Sequence, residues 1–272
     1  MRDERIDRRR DHHPGRMSLS HLCLVTAVEI EFKTAVGLLD ESGFSDESQM
    51  NVCRGRCGNR RITVLKSEMG AIGFAERLGD HLKNNRYDAL IVAGLAGALS
   101  PQLKRGDAVV LDLCHDARTK SAFREKSSAC EEKASIACDD NLSKYLAETL
   151  RASGAPCFGG TGLTVDQIIT RAKDKISLGI QYNAMAVDME TYDLLTVCAE
   201  FGLPAAAVRV VSDEADCDLP DFNQALKPDG QLSNWQMALA MLKNPIISIR
   251  FLLGIKPVID ALRANLRAII SA

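Results

Sequence analysis

Acidic residues stand in three places where an apolar stretch of the sequence ends. They are Glu29 and Glu31, Asp188 and Glu190, and Asp213 and Asp216. A buried charge without a partner costs several kcal/mol, so acids in such positions need a cation or a ligand beside them. A helix N-terminus stabilises a single carboxylate through its dipole. Three such places in one chain instead favour a shared acidic active site.

An acidic site that contains no histidine suits two kinds of chemistry. Carboxylates bind hard metal ions, or they cleave a glycosidic bond through a cationic, oxocarbenium-like transition state. Glycosidic cleavage needs one acid for the leaving group, one carboxylate at the sugar hydroxyls and one to orient the nucleophile. The three acidic places offer one candidate for each role, and a metal-dependent hydrolase is the alternative.

Short apolar runs alternate with amphipathic segments from His21 onward, and these elements must position the acids. The predicted strands cover residues 22–28, 61–67, 89–94, 107–112, 157–165, 184–189 and 204–212. The predicted helices cover residues 29–40, 71–84, 141–153, 170–181 and 190–201. This order is typical of βαβ units, so we predict a single α/β domain with a mixed, mostly parallel central sheet flanked by helices. Such sheets bind ligands beyond the carboxyl ends of their strands, where the acids stand.

The two ends of the chain differ from this segment. Residues 1–19 are charged and nearly devoid of apolar side chains, which predicts a disordered tail before an α/β domain over residues 20–217. Residues 218–272 are predicted to form a C-terminal helical extension, with a long helix from Pro245. The helix carries a stripe of large aliphatic residues, namely Ile246, Ile249, Leu253 and Ile255. This stripe either packs on the sheet, or it contacts an apolar substrate or a membrane surface.

Composition narrows the class of protein further. The net charge is −2 with acids and bases interleaved, so no nucleic-acid partner is predicted. The nine cysteines lack Cys-x-x-Cys spacing, which indicates free thiols in a reducing compartment and a cytoplasmic protein. No apolar run is long enough for a transmembrane segment, and the N-terminus lacks the apolar core of a signal peptide.

Six segments carry a resemblance to a known family, namely AVEIE, LKSEMG, AGLAGAL, RGDAVV, AVDMET and VRVVSDEAD. Their order resembles the nucleoside phosphorylase and nucleosidase superfamily, which includes purine nucleoside phosphorylases and methylthioadenosine/S-adenosylhomocysteine nucleosidases. Farther on, DLPDFNQALKPDGQ and NPIISIRFLLG are similar to hopanoid-associated phosphorylases, thought to remove adenine from adenosylhopane. The resemblance implies an enzyme that cleaves the N-glycosidic bond of a 5′-substituted adenosine, and we also expect a homo-oligomer.

The resemblance implies a role for each acid. Asp213 would donate a proton to N7 of the purine, with Ser212 positioning it. Glu190 would accept hydrogen bonds from the ribose hydroxyls and stabilise the developing positive charge, while Met189 packs against the sugar. Glu31 would orient an attacking water, although a plain helix N-terminal carboxylate is the alternative.

Five further residues belong to the expected site. Ile168 and Ile169 fall where the family lines its base pocket, and plain core residues are the alternative. Gly94 and Gly97 follow a strand and can bring backbone N–H groups close to an anion or water. Arg209 matches a family arginine that binds substrate, and a structural ion pair with one of the site acids is its alternative.

The nucleophile is not decided by the sequence. Leu95 stands where phosphorylases carry a hydroxyl residue for phosphate, and Glu31 favours water, whereas the resemblance of the C-terminal segment favours phosphorolysis. We predict no metal or organic cofactor and keep phosphate as a candidate co-substrate. A methylthioadenosine/S-adenosylhomocysteine nucleosidase is one alternative, and a non-catalytic nucleoside-binding protein is another. If the nucleoside is lipid-linked, peripheral membrane contact is expected.

Overall fold

The computed structural model describes residues 19–47, 50–67, 73–118, 134–225 and 233–272. The strands are β1 (His21–Thr26), β2 (Asp40–Glu47), β3 (Met50–Cys57), β4 (Arg60–Lys66), β5 (Ala89–Ala98), β6 (Ala108–Asp116), β7 (Ser135–Ala137), β8 (Cys157–Thr164), β9 (Ala186–Asp188) and β10 (Ala205–Asp213). The helices are α1 (Glu29–Val36), α2 (Phe74–Asn84), α3 (Asp140–Ala152), α4 (Ala172–Tyr182), α5 (Thr191–Glu200), α6 (Asn234–Lys243) and α7 (Pro245–Ser271), with a 3-10 turn at Asn223–Ala225. The predicted disordered tail, residues 1–19, lies outside the described residues except for Leu19.

The central sheet has the strand order β10-β6-β8-β9-β5-β1-β4-β3-β2, and β7 pairs with β6. Because β10 also pairs with β5, the strands β5, β10, β6, β8 and β9 close into a ring, and the others extend it on one side. Parallel pairs join β1 to β4 and β5, β10 to β5, and β8 to β6 and β9. Antiparallel pairs join β10 to β6, β5 to β9, and β3 to both β2 and β4. The predicted α/β domain with a mixed sheet is therefore confirmed.

The strands that surround the site are apolar on both faces. Residues 22–25 of β1, residues 89–93 of β5 and residues 205–208 of β10 are buried, because helices cover the sheet on both sides. The parallel pairing of β1, β5 and β10 brings their carboxyl ends to the same edge. Acidic residues that follow these strands therefore meet there.

Helix α7 has two different halves on either side of Pro257. The helix packs on the sheet and on α1 and α3, and most of its buried residues lie in the second half. Its buried residues include Val258, Leu262, Leu266 and Ile269. In the first half Ile246, Ile249 and Leu253 are 77%, 57% and 75% exposed, whereas Ile255 lines a cavity. The predicted single stripe is therefore wrong, because Ile255 lies on a different side of the helix from the other three.

Two further findings bear on the predicted environment. Within the described ranges, no helix combines the length and the apolarity that a membrane crossing requires. Eight of the nine cysteines belong to the described residues, and all eight are free thiols.

Candidate active site

A cavity of about 870 Å³ opens at the carboxyl ends of β1, β5 and β10. Its walls come from the β1-α1 junction, the end of β5, the β9-α5 junction, the end of β10, and helices α6 and α7. Most of the lining is apolar, and the acids Glu31, Glu190 and Asp213 all face it. Acids from all three predicted places therefore line a single cavity.

Glu31 lies in the first turn of α1 and is held by backbone N–H groups. Its Oε2 accepts from Ala27 N at 2.8 Å and from Val28 N at 3.1 Å, and its Oε1 accepts from Leu95 N at 2.7 Å. Burial raises the pKa of Glu31, although the Leu95 N–H and the Arg209 charge act in the opposite direction. A carboxylate that is fixed in place and has a raised pKa is well suited to accept a proton from water.

Gly94 provides the space that Glu31 occupies. A Cβ atom at residue 94 would lie 2.8 Å from Glu31 Oε1 and 2.9 Å from Oε2. Gly94 itself does not line the cavity. Its place in the site is therefore to admit the carboxylate, which corrects the prediction that it binds the ligand.

Gly94→Ala is expected to push the Glu31 carboxylate off its backbone donors and to lower kcat by roughly 10²-fold, because a positioned acid or base contributes about 10²- to 10⁴-fold. Steady-state kinetics on a cleavable nucleoside measure the change. The matched control is Gly159→Ala in β8, where a Cβ atom meets nothing within 4 Å. A Gly94→Ala variant with the kcat of the wild type would contradict this placement of Glu31.

Asp188 and Glu190 stand side by side but have different partners. Asp188 Oδ1 caps α5, accepting from the backbone N–H groups of Glu190 and Thr191 at 3.1 Å each. Its Oδ2 lies 3.0 Å from Arg209 Nε, whereas Glu190 Oε2 lies 3.8 Å from Arg209 Nη2. Asp188 is therefore satisfied by the fold, while the looser contact leaves Glu190 able to meet a ligand in the cavity.

Arg209 is a structural cation and does not line the cavity. The residue is 1% exposed and lies beneath the N-terminus of α5, where it also contacts Thr191 Oγ1. Burial opposes its charge, but the carboxylates of Asp188 and Glu190 dominate and raise its pKa. The prediction that Arg209 binds substrate is corrected accordingly, and the ion pair that the sequence left as the alternative is present.

Asp213 ends β10 just after an irregularity in the pairing with β5, between Val211 and Asp213. Ser212 Oγ lies 2.5 Å from Asp213 Oδ1 and 3.1 Å from the Ala96 carbonyl oxygen, so this hydroxyl can donate to either. Asp213 Oδ2 forms an ion pair with Lys175, a residue of α4 that the sequence analysis did not select. The sequence could have indicated that Lys175 is buried, because the helical period places it on the same face as Leu178 and Tyr182, which are buried.

The other predicted residues divide between the cavity and the surface. The cavity is lined by Ile168, Ile169, Met189, Ser212 and Gly97. Glu29 stands at its rim and is paired with Lys33 and Lys66. Asp216 is exposed and lies outside the lining. Glu31 accepts from backbone N–H groups, Asp188 pairs with Arg209, and Asp213 pairs with Lys175, while the expected absence of a metal stays a prediction.

These features define an α/β protein whose mostly apolar cavity carries carboxylates from three strand ends in distinct environments. The sequence profile of the phosphorylase superfamily matches residues 21–246, and the chain belongs to this superfamily. The resemblance to the nucleoside phosphorylases and nucleosidases, an enzyme family, is therefore confirmed.

Curated relatives and solved structures agree with this family. A 5′-methylthioadenosine/S-adenosylhomocysteine nucleosidase of Glaesserella parasuis is 25% identical over 230 residues, which cover 81% of this chain and 97% of the relative. The enzyme of the same name from Staphylococcus saprophyticus is 25% identical over 195 residues, covering 70% and 85%. The Neisseria meningitidis nucleosidase of that name, solved in complex with methylthio-immucillin-A, superposes with a TM-score of 0.70 at 18% identity, covering 93% of this chain and 99% of that structure. At this identity the superposition shows the shared fold.

Proposed function

We propose that this protein hydrolyses the N-glycosidic bond of a 5′-substituted adenosine and releases adenine. The observation that carries the proposal is the meeting of Glu31, Glu190 and Asp213 in one apolar cavity, each supplied by a different strand end. The relatives named as nucleosidases support the same class of reaction. A protein that only binds nucleosides has no need of a positioned proton donor.

In the proposed reaction each acid acts at a different part of the nucleoside. The bond between C1′ and N9 breaks, its electron pair moves into the purine, and N7 receives a proton from Asp213. Glu190 accepts hydrogen bonds from the ribose hydroxyls and stabilises the positive charge that develops on the sugar. Water attacks C1′ and gives its proton to Glu31, whose raised pKa suits a base.

Water is the nucleophile that the charges of the cavity favour. Within the described part of the chain, Lys66 is the one cationic side chain in the lining, and it already pairs with Glu29 at 2.9 Å. A phosphate dianion would meet the carboxylates of Glu31 and Glu190 instead. Phosphate remains the alternative co-substrate, and adenine release with and without phosphate separates the two nucleophiles.

An apolar 5′ group is the substituent that the helical wall favours. Phe251, Leu252, Ile255 and Ile259 of α7 line the cavity together with Met241 of α6. Each methylene group buried against such a wall contributes about 0.8 kcal/mol. We therefore propose a long apolar 5′ substituent, with adenosylhopane of hopanoid biosynthesis as the candidate, while methylthioadenosine is the second candidate because the relatives are named for it.

The exposed first half of α7 supports peripheral membrane contact as part of this proposal. Ile246, Ile249 and Leu253 are exposed on the same helix that walls the cavity, and Arg250 and Lys256 lie among them. Apolar side chains flanked by basic ones suit an anionic bilayer surface. A second copy of the chain could cover the same residues, so the predicted homo-oligomer and the cytoplasmic location stay predictions.

The substrate is tested by adenine release from adenosine, methylthioadenosine and 5′-alkyl adenosines of increasing length, each with and without phosphate. We expect wild-type kcat/KM to rise at least about 10-fold from a methyl to an octyl substituent, since two buried methylene groups suffice for that factor. Ile255→Ser should remove most of this preference. The matched control is Ile249→Ser, which changes an exposed residue outside the lining.

Each result of this panel supports or contradicts a part of the proposal. Equal rates on all chain lengths would contradict the apolar 5′ group and favour a methylthioadenosine nucleosidase. Adenine release that requires phosphate would contradict hydrolysis. Activity abolished by a chelator would favour the metal-dependent alternative, and no release from any nucleoside would contradict the whole function.

A further inference from the structure

Lys175 is a buried cation for which the proposed reaction has no use. Its side chain and that of Asp213 are 1% and 5% exposed. The ammonium contacts Asp213 Oδ2 and donates to the carbonyl oxygens of Glu214 at 3.1 Å and of Cys217 at 2.9 Å. These three oxygens engage all three N–H groups of the ammonium, so one N–H is held on the Asp213 carboxylate.

This ion pair conflicts with a simple proton donor. In an ion pair the ammonium carries the protons and the carboxylate carries none, so Asp213 in this pair has no proton of its own for the purine. The ammonium beside it does carry protons. A proton can move along the contact from Lys175 Nζ to Asp213 Oδ2 without any side chain changing its position.

We propose that Lys175 and Asp213 act as one proton-donating pair, in which Lys175 supplies the proton that Asp213 passes to the purine. This inference rests on the proposed function. As the C1′–N9 bond breaks, N7 takes a proton by way of Asp213, the carboxylate takes one from Lys175 Nζ, and the amine is left neutral. The attacking water gives its proton to Glu31. After this step the Lys175–Asp213 pair has lost one proton and Glu31 has gained one. Proton exchange with solvent returns both to their starting states.

Other charged groups surround the pair without replacing it. They are Arg171 just before α4, Lys173 and Asp174 on α4, Glu214, Asp216 and Cys217 after β10, Asp218 near the N-terminus of α4, Arg250 on α7, and Glu31 and Glu190 across the cavity. Among the described residues, Asp213 is the one acidic side chain in an ion pair with Lys175. The Cys217 thiol stays neutral, because burial and its contact with Glu214 raise its pKa. The Lys175–Asp213 pair is thus the proton-carrying group that faces the purine.

The first test compares Lys175→Met with the matched control Lys173→Met, an exposed lysine on the same helix. On a nucleoside that the wild type cleaves, Lys175→Met is expected to lower kcat at least about 100-fold at pH 7, with KM changed less than about threefold. Lys173→Met should match the wild type.

The second test separates proton supply from structural support. A 5′-substituted 4-nitrophenyl riboside has a leaving group that needs no proton, so Lys175→Met should cleave it at a rate close to that of the wild type. Lys175→Arg keeps the charge but does not release a proton, so it should be as slow as Lys175→Met on the adenosine substrate. A variant damaged only in its folding would be slow on both leaving groups.

Three results would overturn the proton-donating pair. They are adenine release by Lys175→Met above a third of the wild-type rate, near wild-type activity of Lys175→Arg, and equal losses on the adenosine and the 4-nitrophenyl substrate. If the wild type itself releases adenine from no nucleoside, the proposed function fails and the pair fails with it. If the wild type releases adenine and Lys175→Met matches it, the pair alone fails.

Discussion

Replacing Asp213 with asparagine is expected to lower kcat for adenine release by about 10²- to 10⁴-fold, which is the usual contribution of a positioned general acid. Asparagine keeps the shape of the side chain and its contact with Ser212, but it has no acidic proton for N7. Binding of an uncleaved nucleoside analogue should change little. The kcat of the variant and the dissociation constant of the analogue measure the two effects, with Asp216→Asn as the exposed control in the same segment.

The ion pair adds a stability effect to this prediction. Asp213→Asn leaves the buried Lys175 ammonium without its counter-ion, and breaking a buried pair in this way costs about 3–5 kcal/mol. The double variant Asp213→Asn/Lys175→Met removes both charges and should recover most of the melting temperature without recovering kcat. A single variant that keeps more than half of the wild-type kcat would contradict the donor role of Asp213. A double variant that is no more stable than the single one would contradict the energetic role of the pair.

The sequence predicted the strands that are buried on both faces and the helices between them. A short, continuous apolar run between amphipathic segments is typical of a strand that helices cover on both sides. Strands β2 and β3 were missed, because DESGFSDE and MNVCRGRC carry glycine and charged residues without a regular alternation. These two strands extend the open side of the sheet, where β2 is mostly exposed. Their sequences therefore lack the continuous apolar run of a strand that is buried on both faces.

The meeting of the acids was also predictable, since parallel strands bring their carboxyl ends together. The different partners of the acids within each group were not predictable. Asp188 and Glu190 look alike in sequence and both line the cavity, and only the position of Arg209 beneath α5 shows which acid is paired at 3.0 Å and which has the looser contact at 3.8 Å. Such a prediction requires two pieces of information: the face of the element on which each residue lies, and the neighbouring residue that packs against that face.

The 3.6-residue period of a helix indicates two features that the amino-acid composition does not show. It places Lys175 on the buried face of α4, although a lysine in an amphipathic helix is usually solvated. It also separates Ile255 from Ile246, Ile249 and Leu253, since these three are spaced for one side of a helix and Ile255 is not. Which side meets the cavity depends on how α7 packs against the sheet, and this packing is set by contacts distant in the sequence.

Glu190→Gln is expected to lower kcat by about 10²- to 10³-fold and to leave KM nearly unchanged. Glutamine still accepts a hydrogen bond from a ribose hydroxyl, so the neutral ground state loses little. The charged carboxylate interacts more strongly with a sugar that has become positive, so its loss falls mainly on the transition state. Removing one preorganised electrostatic contact of this kind typically costs a factor of that size.

The partners of Glu190 distinguish this variant from Asp213→Asn. Arg209 keeps its closer ion pair with Asp188 at 3.0 Å when the contact at 3.8 Å is lost, so the melting temperature should fall only slightly. Glu29→Gln, at the exposed rim of the same cavity, is the matched control and should keep the wild-type kcat. A Glu190→Gln variant with raised KM and unchanged kcat would mean that the carboxylate only binds the ground state. The stabilisation of the sugar cation would then have to come from another group of the cavity, and Glu31 and Asp188 are the other buried carboxylates near it in the lining.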